Sequence, residues 1–431
     1  MWLPIILSLD GGGVKGLSSL YFLREIMVSI RELERSSEDS GAAGSADSEN
    51  LPLPCNYFDF MVGTSTGGLI ATMLGRLRMG VDDCIKQYLI ISNKVFGPFR
   101  IPFLQNYSGD DLSESYDYME SGMPSWIGDE ERVNKTCKVA VTSIRNGGAN
   151  SHSSKGVDIL YLFRSYDSAT RYIDGEINPR VLDRSKLHMN ESSRATTAAP
   201  TYFPPLKMRG RLFMDGGILA NNPSQIALNE ATRMCNEPHY NKSKKPIRHP
   251  LVLVSIGTGG SEGHESFSFG GLLRSLKNKL TDPEPTHRDV RGTCANSGTH
   301  YFRFNVQEDK ARSVKGLQMG LDDCKKKNSK LPWVEKIKKS DITDLELNAQ
   351  EKNQRGGYKP DKYHYTTFNE IRDQTRAYFN EPYDQSEKKV KDMLEECAKL
   401  LFRYRSTLIL TILVDELGKA LGFFDWVKFL A

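Results

Sequence analysis

Short apolar runs alternate with longer stretches of helical period along the first 260 residues. The run "PIILSLD" (4–10) is apolar almost throughout and ends at three glycines, which predicts a buried strand and then a loop. In "LSSLYFLREIMVSIREL", Leu20, Leu23, Met27 and Ile30 recur at helical spacing, so the first unit reads as strand, glycine loop, helix. The same order returns with "YFDFMVG" as a second strand and "TGGLIATMLGRLRM" as the helix after it. Further strands are predicted at "CKVAVTSI" (137–144), "VDILYLFRSY" (157–166), "RLFMD" (211–215) and "LVLVSIG" (251–257). Strands that are apolar on both faces and alternate with helices predict an α/β fold, with a mostly parallel sheet covered by helices on both faces.

Elsewhere the pattern breaks. "SSEDSGAAGSADSEN" (36–50) is small, polar and acidic and reads as a surface loop. Past residue 261 the periodicity fades into loops and basic runs, and a helix returns at 386–405. There Val390, Met393, Leu394, Cys397, Leu400, Leu401 and Tyr404 form one apolar stripe. The final stretch, 406–431, is uninterruptedly apolar only from Leu408 to Val414, too short to cross a bilayer. It reads either as a docked or partner-facing helix or as an interfacial amphipathic segment. The expected organisation is a core over 1–260, a stretch at 261–384 that completes or flanks it, and a helical C-terminal extension over 385–431.

Composition narrows the class. The chain has 58 basic against 54 acidic side chains and 39% apolar residues, the balance of a globular protein and too even for a nucleic-acid binder. Basic clusters at 242–249 and 324–330 are read as solvated loops, with contact to an anionic lipid surface as the alternative. Seven cysteines without a C-x-x-C pair suggest neither a disulfide framework nor a zinc site, which fits a reducing, cytoplasmic setting. The start "MWLPIIL" lacks a basic leader region and reads as the first strand rather than a signal peptide.

The chemistry sits where strands end. "GTSTG" (63–67) puts Ser65 at a strand-to-helix junction between Gly63 and Gly67, the tight turn that pushes a serine out where a base and a carbonyl can both reach it. "DGGGVKG" (10–16) places Gly11, Gly12 and Gly13 at the start of a helix, where bare backbone N–H groups can converge on an anion. Gly11, Gly13 and Gly16 also satisfy the dinucleotide pattern G-x-G-x-x-G. The acidic residue expected to end a second strand about 20 residues on is instead replaced by helix and polar loop. The eight histidines, at 152, 188, 239, 249, 264, 287, 300 and 364, lie in polar or loop-like contexts and are expected at the surface. An aspartate is better placed to act as base: Asp215 ends an apolar strand and is followed by Gly216 and Gly217, which let it approach another loop. "Stretches such as VFGPFRIPFLQNY" (95–107) read as surface loop or as an apolar entry to the site.

Together "DGGGVKG", "GTSTG" and "DGG", with "RATTAAPTYFPP" from Arg194 and "VLVSIGTG" from Val252, resemble the patatin-like phospholipase family over about residues 4–260. The segment around Ser65 is similar to modules of larger fungal multidomain proteins, including NOD-like receptor types. The resemblance implies a three-layer α/β/α fold with Ser65 as nucleophile, Asp215 as its base and the Gly11–Gly13 backbone as oxyanion hole. Asp10, Lys15, Gly16, Gly63, Gly67, Gly216 and Gly217 complete the motifs. Lys15 stands where many members carry arginine, which keeps the charge and loses the planar fork. The implied activity is calcium-independent hydrolysis of a phospholipid or other acyl-lipid ester at a membrane surface, with no metal or cofactor. Two alternatives stay open: an effector or interaction module on the same fold, and a dinucleotide-binding enzyme.

Overall fold

The computed structural model describes residues 3–38, 50–96, 137–145, 159–166, 187–200, 203–236, 247–259, 283–306, 362–383 and 387–420, with 93–96, 362–367, 370 and 408–420 described by backbone alone. The polar loop from residue 39 to 49, the aromatic stretch 97–107, the basic cluster at 324–330, most of that at 242–249 and the tail 421–431 lie outside the described residues.

One eight-stranded sheet organises the molecule. Its strands are β1 (Ile5–Leu9), β2 (Phe60–Thr64), β3 (Lys138–Arg145), β4 (Ile159–Arg164), β5 (Leu206–Met208), β6 (Arg211–Asp215), β7 (Val252–Ile256) and β8 (His300–Phe304). They run in the order β5-β6-β3-β2-β1-β7-β8, with β4 also paired to β3. Neighbours from β3 through β2, β1 and β7 to β8 are parallel, whereas β4 and β6 run antiparallel to β3. β1, β2 and β7 are buried at every position, the signature of a sheet covered on both faces.

Side chains alternate across these strands and feed two cores. Ile5, Leu7, Leu9, Val252, Val254 and Ile256 belong to the core beneath α1 (Gly16–Glu38), α3 (Val81–Phe96), α8 (Lys362–Tyr378) and α9 (Val390–Ala420). Ile6, Val62, Ala140 and Leu253 face the other way, toward Ala227, Leu228 and Ala231 of α6 (Ser224–Asn236) and Val290 of α7 (Glu284–Ser297). The predicted stripe Leu20, Leu23, Met27 and Ile30 is fully buried on α1. Each such side chain removed from water contributes about 1.5–3 kcal/mol, so the stripe alone explains why this helix lies flat on the sheet.

Several elements differ from the sequence reading. α1 runs on to Glu38, into the stretch read as loop. α2 (Thr66–Ala71) widens into a π turn over Thr72–Arg76, which a 3.6-residue period does not reveal. The C-terminal stripe and the stretch after it form a single helix, α9, whose Val390, Leu394, Cys397 and Leu401 are buried; its backbone continues without a break past 405. Beyond residue 260 the sheet gains β8, parallel to β7, through "HYFRF", a segment in which His300 and Arg303 break up the apolar run that marks a strand. No helix among the described residues is long and apolar enough to cross a membrane.

Candidate active site

β3 supplies the ruler for the site. Its pairing with β4 covers Ala140–Arg145, so β2 and β6 share the opposite edge: Thr64 of β2 sits across from Thr142, and Asp215 of β6 across from Ser143. The two strands therefore end nose to nose on consecutive residues of β3. Ser65, the first residue past β2, meets the last residue of β6, and its Oγ donates to Asp215 Oδ2 at 2.5 Å. Asp215 is buried, and its other oxygen accepts the Gly217 N–H at 2.7 Å, which fixes the carboxylate plane. Thr64 and Thr142 join hydroxyls at 2.8 Å behind this junction, and the Thr64 hydroxyl also lies 2.7 Å from the Ala220 carbonyl at the end of α5 (Gly217–Ala220).

Ser65 itself is strained, with φ 55° and ψ −126°, a conformation that costs a non-glycine residue about 1–3 kcal/mol. Neighbouring contacts hold it there. Its N–H donates to Thr196 Oγ1 at 2.9 Å, from the last residue of α4 (Met189–Thr196). The glycines on either side of it are required by space: a Cβ on Gly63 would come within 2.1 Å of the Gly67 carbonyl oxygen, and one on Gly67 within 2.4 Å of the Leu9 carbonyl oxygen. The turn at Ser65 is thus pressed directly onto the end of β1.

That end is the glycine loop, and it lies against the serine: a Cβ built on Gly11 would stand 3.1 Å from Ser65 Cβ. The Gly11 N–H donates to the Asn221 carbonyl at 3.1 Å, and the Gly12 N–H reaches Thr66 Oγ1 at a long 3.3 Å. Gly13 carries a positive φ of 56° as the loop turns into α1. Lys15 Nζ lies 3.5 Å from the Gly259 carbonyl. β2 ends at Thr64 and Ser65 follows it, with no carboxylate at the strand's tip of the kind a dinucleotide ribose uses.

Beneath the loop, Asp10 is gripped by the two terminal nitrogens, Nη1 and Nη2, of Arg303 from β8, at 3.0 and 2.6 Å, and Nη1 also donates to Ser255 Oγ on β7 at 2.9 Å. Burial pushes the Asp10 carboxyl up against the opposing pull of Arg303. Burial alone would weaken the guanidinium's hold on its proton, but Asp10, with Tyr301 and Glu284, more than offsets this and keeps Arg303 charged. Arg303, Thr196, Asn221 and Thr258 were not singled out from the sequence. Thr196 and Thr258 lie in the segments "RATTAAPTYFPP" and "VLVSIGTG" and Asn221 stands four residues past "DGG", whereas Arg303 has no local signal at all. The histidine expectation needs one correction: His287 is buried on α7, with Nδ1 3.0 Å from the Tyr301 hydroxyl, because its helix turns that face to the sheet. His188 and His300 are exposed. No group of three or more His, Cys, Asp or Glu among the described residues is placed to hold a metal ion.

A family model described as patatin-like phospholipase matches residues 7–228, just over half of the chain, and the chain belongs to that family. Human calcium-independent phospholipase A2-gamma is 28% identical over 79% of this chain and 40% of its own length. Patatin-like phospholipase 1 of Plasmodium falciparum is 28% identical over 70% of this chain and 43% of its own, and patatin-like protein 4 of Arabidopsis thaliana 26% identical over 62% of each. The chain thus spans about two fifths of the length of the phospholipase A2-gamma relatives it matches. Among solved structures, VipD from Legionella pneumophila aligns over 76% of this chain and 67% of its own at a TM-score of 0.32 and 12% identity, too loose a likeness to carry an argument.

Proposed function

We propose that this protein hydrolyses fatty-acyl ester bonds of phospholipids or related acyl-lipids through a Ser65–Asp215 dyad and an acyl-enzyme intermediate. The observation that carries the reading is the 2.5 Å hydrogen bond from the Ser65 hydroxyl to a buried carboxylate. Asp215 takes the hydroxyl proton as Ser65 Oγ attacks the ester carbonyl; the alcohol leaves with that proton, and water, activated by the same carboxylate, releases the fatty acid. A carboxylate is a weak base toward a serine, and a dry setting with a fixed plane makes the transfer feasible. The Gly217 N–H and the burial of Asp215 provide both.

The developing oxyanion needs donors that are already aimed at it, each worth about 100- to 1,000-fold in kcat. Since the Gly11 N–H is donated to Asn221, we assign this role to Gly12 and Gly13; the long Gly12–Thr66 bond is weak enough for a substrate oxygen to replace. The acyl-lipid class rests on the family and on the phospholipase A2 names of its relatives, and a substrate of that class brings the protein to a membrane surface. The chain's own residues supply every group in the scheme without a metal or cofactor.

The test is turnover of a panel of phospholipid, lysophospholipid, triacylglycerol and short p-nitrophenyl esters. Ser65→Ala and Asp215→Asn should each lower kcat by at least about 1,000-fold, with the double variant no worse than either, because groups that act as a unit are not additive. Ser65→Ala retaining a tenth of wild-type turnover would remove the dyad from the mechanism.

A further inference from the structure

The family match ends at residue 228, yet the oxyanion loop is held from below by residues that follow it. Ser8, Ser255 and Arg303 stand in register across β1, β7 and β8. The two small serines leave space for the guanidinium to lie across the sheet face and reach Asp10, the residue at which the loop begins. The grip is bidentate, and both side chains are almost fully buried, 5% and 1% exposed. One residue further, Thr258 Oγ1 donates to the Gly11 carbonyl at 3.1 Å, and a Cβ on Gly12 would overlap the same threonine. Asn305, two positions after Arg303, accepts the Gly259 N–H at 2.8 Å and so fixes the turn that carries Thr258.

From these contacts we infer that Arg303 of β8 is a positioning residue for the acyl-transfer reaction: it sets the oxyanion loop by gripping Asp10, the residue at which that loop leaves the sheet. The inference rests on the dyad reading above. Removing the arginine takes the anchor from the first residue of the loop. A displacement of about 1 Å is enough to cost on the order of 100-fold in rate.

The experiment compares wild type, Arg303→Lys and Asp10→Asn/Arg303→Gln on a soluble short-chain p-nitrophenyl ester, with rates divided by the amount of Ser65 titrated by a fluorophosphonate probe, so that only folded sites are counted. The double variant should lose about 10- to 100-fold in kcat with KM changed less than threefold. Arg303→Lys, which keeps the charge but grips through one nitrogen, should fall between the two, a partial rescue that a purely structural role does not produce. If the double variant fails to fold, Arg303→Lys decides alone. Wild-type kcat in any folded variant overturns the inference. A wild-type protein that neither hydrolyses the ester nor takes the probe at Ser65 overturns the dyad reading instead.

Discussion

Two arginines each grip a carboxylate with two nitrogens, Nε and Nη2 of Arg164 and Nη1 and Nη2 of Arg303, beneath the same face of the sheet, and they meet opposite surroundings. Arg164 at the end of β4 holds Glu230 of α6 at 2.6 and 3.0 Å, and the Tyr166 hydroxyl adds a third donor at 2.9 Å. Burial there pushes the Glu230 carboxyl up, but Arg164, Tyr166 and Arg233 together outweigh it, and the group is held below its ordinary value. Asp10 has Arg303 on one side and the charge of Glu284 in its field on the other, and burial wins. The Glu230 pair is well compensated and fastens an edge strand to a helix. The Asp10 pair is poorly compensated and sits where the glycine loop leaves the sheet. The difference separates a pair that holds the fold from one whose position points to the reaction.

The largest effect that tests this contrast is on folding. Glu230→Gln leaves the mostly buried Arg164 without its counter-charge and should destabilise the protein by about 3–5 kcal/mol, read by denaturant unfolding. kcat per titrated Ser65 should stay within a factor of two, unlike the Asp10/Arg303 double variant. Loss of turnover per site in Glu230→Gln would erase the distinction.

A second, smaller effect lies in pH. Glu230 titrates lower in the folded chain than its ordinary 4.5, so its contribution is fully present above that pH and is lost as pH falls through the folded value. Asp10 has the opposite sign, since its folded value lies above the ordinary 3.8: its contribution is present below that pH and is lost as pH rises through the folded value. The gap in melting temperature between wild type and Glu230→Gln should therefore narrow from pH 6 toward pH 3. A gap that widens on acidification would contradict the assignment.

The smallest effect concerns Thr258. Thr258→Val removes the hydroxyl on the Gly11 carbonyl while keeping the methyl bulk against Gly12, and a neutral hydrogen bond of this kind contributes about 1 kcal/mol. kcat should fall about fivefold, well short of the change at Arg303, with the melting temperature lowered by a few degrees. Equal losses at the two positions would show that the loop responds to any contact beneath it and that Arg303 has no special part.

Much of this architecture was legible from the sequence alone. The strands at 5–9, 138–145, 211–215 and 252–256 and the buried face of α1 follow from burial, and burial is written locally as period and composition. Ser65 and Asp215 could be picked out for the same reason: each ends an apolar run and is flanked by glycines that only a tight approach requires. Their meeting could not be read that way. It depends on β2 and β6 arriving from opposite directions at adjacent residues of β3, a matter of register between segments 150 positions apart. The same holds for Thr196, which receives the Ser65 N–H from 131 positions away, and for Arg303, which reaches Asp10 across 293. A polar residue's partner leaves no trace in its neighbours along the chain. Only the packed sheet, by fixing which strands lie side by side and which faces they share, decides it.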